Sequence, residues 1–549
     1  MLYSHTTPGA VARKGATQPS MIAAIRAASA GLVMLAMLGG APAAAGQSSG
    51  TAAFVFLVGA DTFGIERFTS STQVLTGDVL LQGQPRIGYL ASRGGKGFDA
   101  VRVIVYPPGS GPDAAALQSV GLRLVNDTAV AEITSMGATR TERFATQRDA
   151  LLLLSASVAM LEPAVERLSA SGGDSVTFPV FLASGGQTVT ATLRRVSSDS
   201  VVLLLGPQES HLVVHGTQIV RLRTPAQRLV AERVEGEAAA KLALGKPNYS
   251  APPGAPYRAE PVTVPTPAGH VLAGTLTIPQ GAKGRLPAVV TITGSGPEDR
   301  DEYLPFVAGY RPFRQVADTL GRRGIIVLRL DDRGTGESTG NFATATSADF
   351  ADDVRAAVAW LRARPDVNPE RIAVLGHSEG GMIVPMVAAS DPRIAGVVLM
   401  AGPAKRGREV LDYQIRYAVE HDSTIPPSRR DSAFATLRRG ADTTAAPPPW
   451  MKFFLDYDPL PTIRKVRAPV LILQGATDQQ VTADQAEMLG AALREAGNRD
   501  VTVRIFPQRN HLFLPDSTGN PSGYARAPTG RIGPEVMGEL ADWLVKRLR

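Results

Sequence analysis

Two kinds of hydrophobic patterning divide the chain. Between residues 51 and 234, apolar residues come in short runs with partial alternation, at 53–58, 63–68, 74–80, 176–181, 188–193 and 201–205. Gly-Gly or Asp-Ser turn signals separate them at roughly ten-residue spacing, the rhythm of antiparallel strands. The pattern predicts a curved antiparallel sheet or open barrel, with one helix near residues 158–168. Residues 235–261 lose this rhythm and run into Ser250-Ala251-Pro252-Pro253-Gly254-Ala255-Pro256, a linker signature.

After Pro261 strands alternate with amphipathic helices. A hairpin is expected across 262–264 and 272–278, turning at Ala268-Gly269. Strands follow at 288–293, 325–330, 371–375, 395–400, 470–473 and 501–506. Helices are expected at 313–323, 349–362, directly after Ser378, at 483–496 and at 533–548. Such alternation implies a mainly parallel sheet covered on both faces. Between 402 and 467 the rhythm breaks into an insertion with helical segments at 411–419 and 432–439. It also carries the apolar run Trp450-Met451-Lys452-Phe453-Phe454-Leu455. The expected division is a leader (1–46), a β domain (47–235), a Pro-rich linker (236–258) and an α/β domain (259–549) with its insertion at about 403–467.

A chain of 549 residues is too long for one ordinary core, which agrees with two folded domains. The net charge of +7 is scattered, its densest clusters being pairs such as Arg322-Arg323 and Arg438-Arg439. No basic stripe with interleaved aromatics occurs, so no nucleic-acid partner is expected. The absence of cysteine excludes disulfides, thiolate metal sites, a cysteine nucleophile and a lipidated cysteine. Neither a metal nor a cofactor is expected. Near the start, Arg26 precedes an apolar stretch at 27–38, and Ala41-Pro42-Ala43 and Ala43-Ala44-Ala45 offer small-residue cleavage sites. This reads as an export signal, with Met21 a candidate start and an uncleaved anchor at 27–45 the competing reading. The expected location is periplasmic or secreted, with membrane contact only through the signal.

Gly376-His377-Ser378-Glu379-Gly380 matches Gly-x-Ser-x-Gly. The pentapeptide alone is a weak signal, but here it follows the strand Ile372-Ala373-Val374-Leu375 and opens a helix. A strand-to-helix turn strains the serine outward, and flanking glycines let neighbouring backbone pass without a Cβ clash. Ser378 is therefore the candidate nucleophile. A serine hydroxyl needs a base, and the base an orienting acid, in the chain order Ser, acid, His. Asp478 stands in the loop after the strand 470–473, and His511 beyond the next strand is the one histidine downstream of His421. Asp484 is the alternative acid, though its place at the start of a helix suits a dipole-stabilised carboxylate. Acyl transfer also needs donors for the oxyanion. The backbone N–H of Glu379 is one candidate; the other is Ser295 in Gly294-Ser295-Gly296-Pro297, with Gly296 as the fallback. Ser295 as a rival nucleophile lacks the elbow.

These motifs, with residues 293–302 (Thr-Gly-Ser-Gly-Pro-Glu-Asp-Arg-Asp-Glu) and 330–338 (Leu-Asp-Asp-Arg-Gly-Thr-Gly-Glu-Ser), resemble the EstD-type bacterial carboxylesterases of the α/β-hydrolase superfamily. The resemblance implies the α/β-hydrolase fold, hydrolysis of short acyl esters by a Ser-His-Asp triad, and a helical cap at the insertion. It also implies that Asp331, Arg333 and Gly334 shape a loop rather than react. Asp299-Arg300-Asp301 either borders the pocket or forms a solvated ion network, and the aromatics at 450–455 either line an acyl pocket or pack the cap on the core. The expected partner is a small-molecule ester. Amide, thioester or peptide hydrolysis on the same triad competes with this reading, as does a non-catalytic envelope binding protein on a hydrolase-like scaffold.

Overall fold

The computed structural model describes residues 51–548, apart from residues 60, 96, 109–113, 136–137, 282, 423–424 and 443–447. The expected export signal lies outside the described residues.

The N-terminal domain is one antiparallel sheet, in which fifteen strands are ordered among the described residues. Thr51–Val58 sits mid-sheet between Asp61–Ser70 and Leu229–Glu235. From there successive hairpins extend one way to Ala138–Ala145 and the other way to Leu151–Leu153, whose pairing with Ser175–Leu182 is parallel. Period-two alternation explains the curvature. Along Gln208–His215, Ser210, Leu212 and Val214 face inward while Glu209, His211, Val213 and His215 face water. The inward faces enclose Phe54, Phe68, Leu75 and Leu193 with the helix Glu162–Ala170, whose Ala164, Val165 and Leu168 are buried. The sheet curls until its ends meet: Phe144 and Phe181 pack at 5.9 Å between ring centroids, and the Thr188 hydroxyl donates to Thr146 at 2.7 Å. This is a barrel-like roll closed by side chains. His211 and His215 carry a His-x-x-x-His spacing on an extended strand, which sets them about 13 Å apart. The metal-binding form of that spacing needs a helix.

Buried Glu66 marks the entry to the internal helix. It accepts hydrogen bonds from the Tyr89 hydroxyl at 2.6 Å, the Val158 and Ala159 amides at 2.8 and 3.2 Å, and Ser157. Burial raises its pKa, against the lowering effect of those donors.

The C-terminal domain carries a second sheet, ordered Tyr257–Pro265, Val271–Pro279, Ile326–Leu330, Leu286–Ile292, Val367–His377, Ile394–Met400, Val470–Gly475 and Val501–Phe506. The first pair is the expected hairpin, turning at Gly269 with φ +87°; the strands from Leu286–Ile292 onward pair in parallel. Successive residues of each central strand belong to different cores. Ile372, Val374, Val397, Leu399, Val470 and Ile472 pack under the helices Ser347–Arg362, Glu379–Ala388 and Asp484–Glu495. Ala373, Leu375, Val398, Met400, Leu471 and Leu473 pack under Pro312–Gly321 and Pro534–Leu548. A strand buried on both faces has no polar side to show, hence its continuous apolar run. The insertion folds as helices at Gly407–Glu420, Arg430–Asp442, Pro449–Asp456 and Leu460–Ile463.

The Pro-rich stretch packs against the second domain. Tyr249 donates to Asp299 at 3.1 Å and covers the Arg300 guanidinium at 4.2 Å, while Arg314 bonds the carbonyls of Asn248 and Ser250. Asp299-Arg300-Asp301 is thus neither a pocket rim nor a solvated network. Arg300 is 2% exposed and forks onto Asp331 at 2.6 and 2.9 Å, and Asp301 pairs with buried Arg329. Buried charges of this kind persist because each has a partner.

Candidate active site

The strand Val367–His377 delivers Ser378 at its carboxyl end, and the helix Glu379–Ala388 departs at once. Ser378 takes φ +54° and ψ −118°, a conformation costing about 1–3 kcal/mol that the surrounding packing must hold. The glycines make that packing possible. A Cβ on Gly376 would lie 2.2 Å from the Gly380 backbone, and one on Gly380 would lie 2.2 Å from the Ile292 carbonyl oxygen. The adjacent loop comes close as well, since a Cβ on Gly294 would sit 3.4 Å from Ser378 Cβ.

Residues far apart in sequence converge on this serine. His511 Nε2 lies 3.0 Å from Ser378 Oγ, and His511 Nδ1 lies 2.8 Å from Asp478 Oδ2. Asp478 has a fully buried side chain and is held on both oxygens. The Gln480 and Val481 amides donate to Oδ1 at 2.7 and 2.9 Å, and Gln474 Nε2 donates to Oδ2 at 2.9 Å. Those donors keep an acceptor aimed at the imidazole, which fixes its tautomer with Nδ1–H toward Asp478 and Nε2 toward the serine. Asp484 is elsewhere: it opens the helix Asp484–Glu495, is half exposed and pairs with Lys405 at 2.7 Å.

Residues 311–527 match the prolyl oligopeptidase family of peptidases. Esterase EstD of Thermotoga maritima is 31% identical over 281 residues, covering 50% of this chain and 66% of its own. An uncharacterised protein of Mycobacterium tuberculosis is 30% identical over 239 residues, covering 43% of this chain and 67% of its own. The chain belongs to the α/β-hydrolase family. Dipeptidyl aminopeptidase BIII of Pseudoxanthomonas mexicana is 28% identical over 269 residues, which are 46% of this chain and 35% of that one. The chain thus spans about two thirds of the length of the first two relatives and about a third of the last.

Behind the hydrolase serine lies a group of residues the motif does not announce. His377 Nδ1 is 2.5 Å from Glu302 Oε1, and its Nε2 is 2.9 Å from the backbone carbonyl of His511. Both ring nitrogens face acceptors, so the ring is best satisfied with a proton on each. Burial alone would lower the His377 pKa; the Glu302 charge and hydrogen bond, with the His511 carbonyl, outweigh it and raise the pKa. Glu298 accepts from the Gly294 amide at 3.1 Å, and its own amide donates to Asp332 at 3.0 Å. Burial pushes both carboxyls well above the ordinary range, and the Glu302 and Asp332 charges add to the effect on Glu298.

Glu379 presents its amide at the first position of a helix, where no carbonyl one turn back can accept it. In the facing loop the Gly294 amide is engaged by Glu298, which leaves Ser295 and Gly296 (φ +114°) as the next donors along the chain. The buried Glu379 carboxylate accepts from Ser347 Oγ at 2.6 Å and from Trp450 Nε1 at 2.8 Å to each oxygen. Trp450 belongs to the insertion, so part of its aromatic run packs on the core. No sequence signal ties Glu302 to His377 or Trp450 to Glu379, because separations of 75 and 71 residues carry no periodicity.

Proposed function

We propose that this protein is an exported serine hydrolase cleaving small carboxylic esters through an acyl-enzyme on Ser378, with His511 as base and Asp478 as its orienting acid. The observation that carries this reading is the unbroken path from Ser378 Oγ through His511 to fully buried Asp478 at a strained strand-to-helix turn. His511 Nε2 takes the hydroxyl proton as Oγ attacks the ester carbon. The resulting oxyanion is received by the backbone N–H groups of Glu379 and Ser295, fixed dipoles that need no reorganisation at the moment of charge development. Collapse expels the alcohol, which takes the proton from His511. Water then repeats the sequence on the acyl-enzyme, and the acid leaves with Ser378 restored. Asp478 stays ionised throughout, held by its four donors, and stabilises the imidazolium formed in each half.

Cleavage of an amide or aminoacyl bond on the same residues is the second reading, favoured by the match to a peptidase family. Purified protein challenged with acyl esters, thioesters and aminoacyl amides separates the two. Ester turnover with stoichiometric fluorophosphonate labelling is the expected result. Preferential amide turnover would install the peptidase reading, and an unlabelled, inactive protein would sink both in favour of a binding scaffold.

A further inference from the structure

The hydrolase chemistry uses only the backbone of Glu379, yet its side chain is 2% exposed and lies beside the nucleophile. Three elements meet on it. Glu379 begins the elbow helix, Ser347 begins the helix Ser347–Arg362, and Trp450 comes from the cap helix Pro449–Asp456. The indole N–H is a donor with no acceptor capacity, and here it addresses both carboxylate oxygens at 2.8 Å. A carboxylate serving both Ser347 and Trp450 is a shared acceptor, and moving either donor disturbs the hold on the other.

We propose that the Glu379 carboxylate is a positioning residue that ties the cap, through Trp450, to the elbow whose backbone N–H receives the oxyanion, so that this donor is correctly set only when the cap is seated. The inference rests on the hydrolase reading above for its effect on rate, but the contact itself can be tested without it. With the cap seated, Trp450 fixes the carboxylate, which holds the first residue of the elbow helix, and with it the Glu379 N–H, against the position of the developing oxyanion. With the indole withdrawn, the carboxylate keeps only its Ser347 donor in a buried site and the start of the elbow helix loses that tie. Protonation breaks the same link, because a carboxylic acid offers one oxygen fewer as an acceptor. Burial raises the Glu379 pKa while Ser347, Trp450 and Ser295 oppose the rise, and Asp332, itself raised by burial, is the titratable group coupled to it.

The test uses the full chain with Trp450→Phe, Glu379→Gln and the double variant. Phenylalanine preserves the ring stacked on Phe454 at 5.7 Å and removes only the donor. Each single variant should lower kcat by about tenfold with KM changed less, the loss expected for one hydrogen bond to a charged group. The double variant should be no worse than the poorer single one. Independently of activity, the emission of Trp450, taken as the difference between wild type and Trp450→Phe, should change with a single acid-side midpoint that vanishes in Glu379→Gln. Singles within twofold of wild type, losses that multiply, or pH-independent emission would each overturn the proposal. Should Glu379→Gln fail to fold, Trp450→Phe and the wild-type titration still decide. An inactive wild type with an intact titration would refute the hydrolase reading and leave the contact standing.

Discussion

Glu302→Gln is the most informative single change in the core of the site. In the wild type, His377 donates from Nδ1 to Glu302 and from Nε2 to the His511 carbonyl. In the variant the amide N–H can donate to Nδ1 while Nε2–H keeps the carbonyl, so geometry survives and the ring becomes neutral. The loss is then the difference between a charge-assisted buried bond, about 1.5–3 kcal/mol, and a neutral one near 1 kcal/mol, or about 0.5–2 kcal/mol net. At roughly 2–4 °C per kcal/mol this lowers the melting temperature by about 1–8 °C at pH 6. The sign with pH follows from linkage. The folded-state pKa of His377 is raised, so its contribution is full below the unfolded value of about 6.5 and is lost as pH climbs through the folded value. Above the folded-state value the wild-type ring has one proton for two acceptors, so the deficit of the variant should shrink as pH rises. All three tryptophans lie in the C-terminal domain, so tryptophan emission during thermal unfolding reports on that domain alone. A deficit that grows as pH is raised from 6 would refute the reasoning.

Ser378→Ala should remove ester turnover by four to six powers of ten, on the order of the loss seen for single triad members, together with fluorophosphonate labelling; retained labelling would direct attention to Ser295. Asp478→Asn should fold normally yet turn over about four powers of ten more slowly, whereas Asp484→Asn, losing only its pairing with Lys405, should stay near wild type. The opposite result would mean the acid is misassigned. A chain beginning at residue 242 should keep full activity on a small chromogenic ester. One beginning at Tyr257 loses Tyr249 from Arg300 and Asp299 and should be less stable by about 1–3 kcal/mol in urea unfolding, and equal midpoints would show that the linker contacts contribute nothing.

Continuous apolar runs such as Val470-Leu471-Ile472-Leu473 can be satisfied only by burial on both faces, so the layered α/β architecture was legible from the sequence alone. The elbow was legible for a related reason, since crowding at Gly376 and Gly380 admits no other residue. Chain order then pointed to Asp478 and His511, and the structure brings both to Ser378. The β domain was legible in type but not in full. Strands such as Ala138–Ala145, with the sequence Ala-Thr-Arg-Thr-Glu-Arg-Phe-Ala and mostly exposed side chains, carry too little alternation to be told from loop. Their place is set by ladder pairing with a neighbour rather than by their own residues. Buried polar groups were wholly a matter of tertiary structure. Whether Arg300 is a solvated charge or one half of a buried pair depends on Asp331 and Tyr249, and the indole that reaches Glu379 arrives from an insertion. Hydrophobic burial leaves a periodic trace because it follows the local geometry of helix and strand. A polar contact across the fold leaves none, because a charge is assigned its partner only when the chain has closed around it.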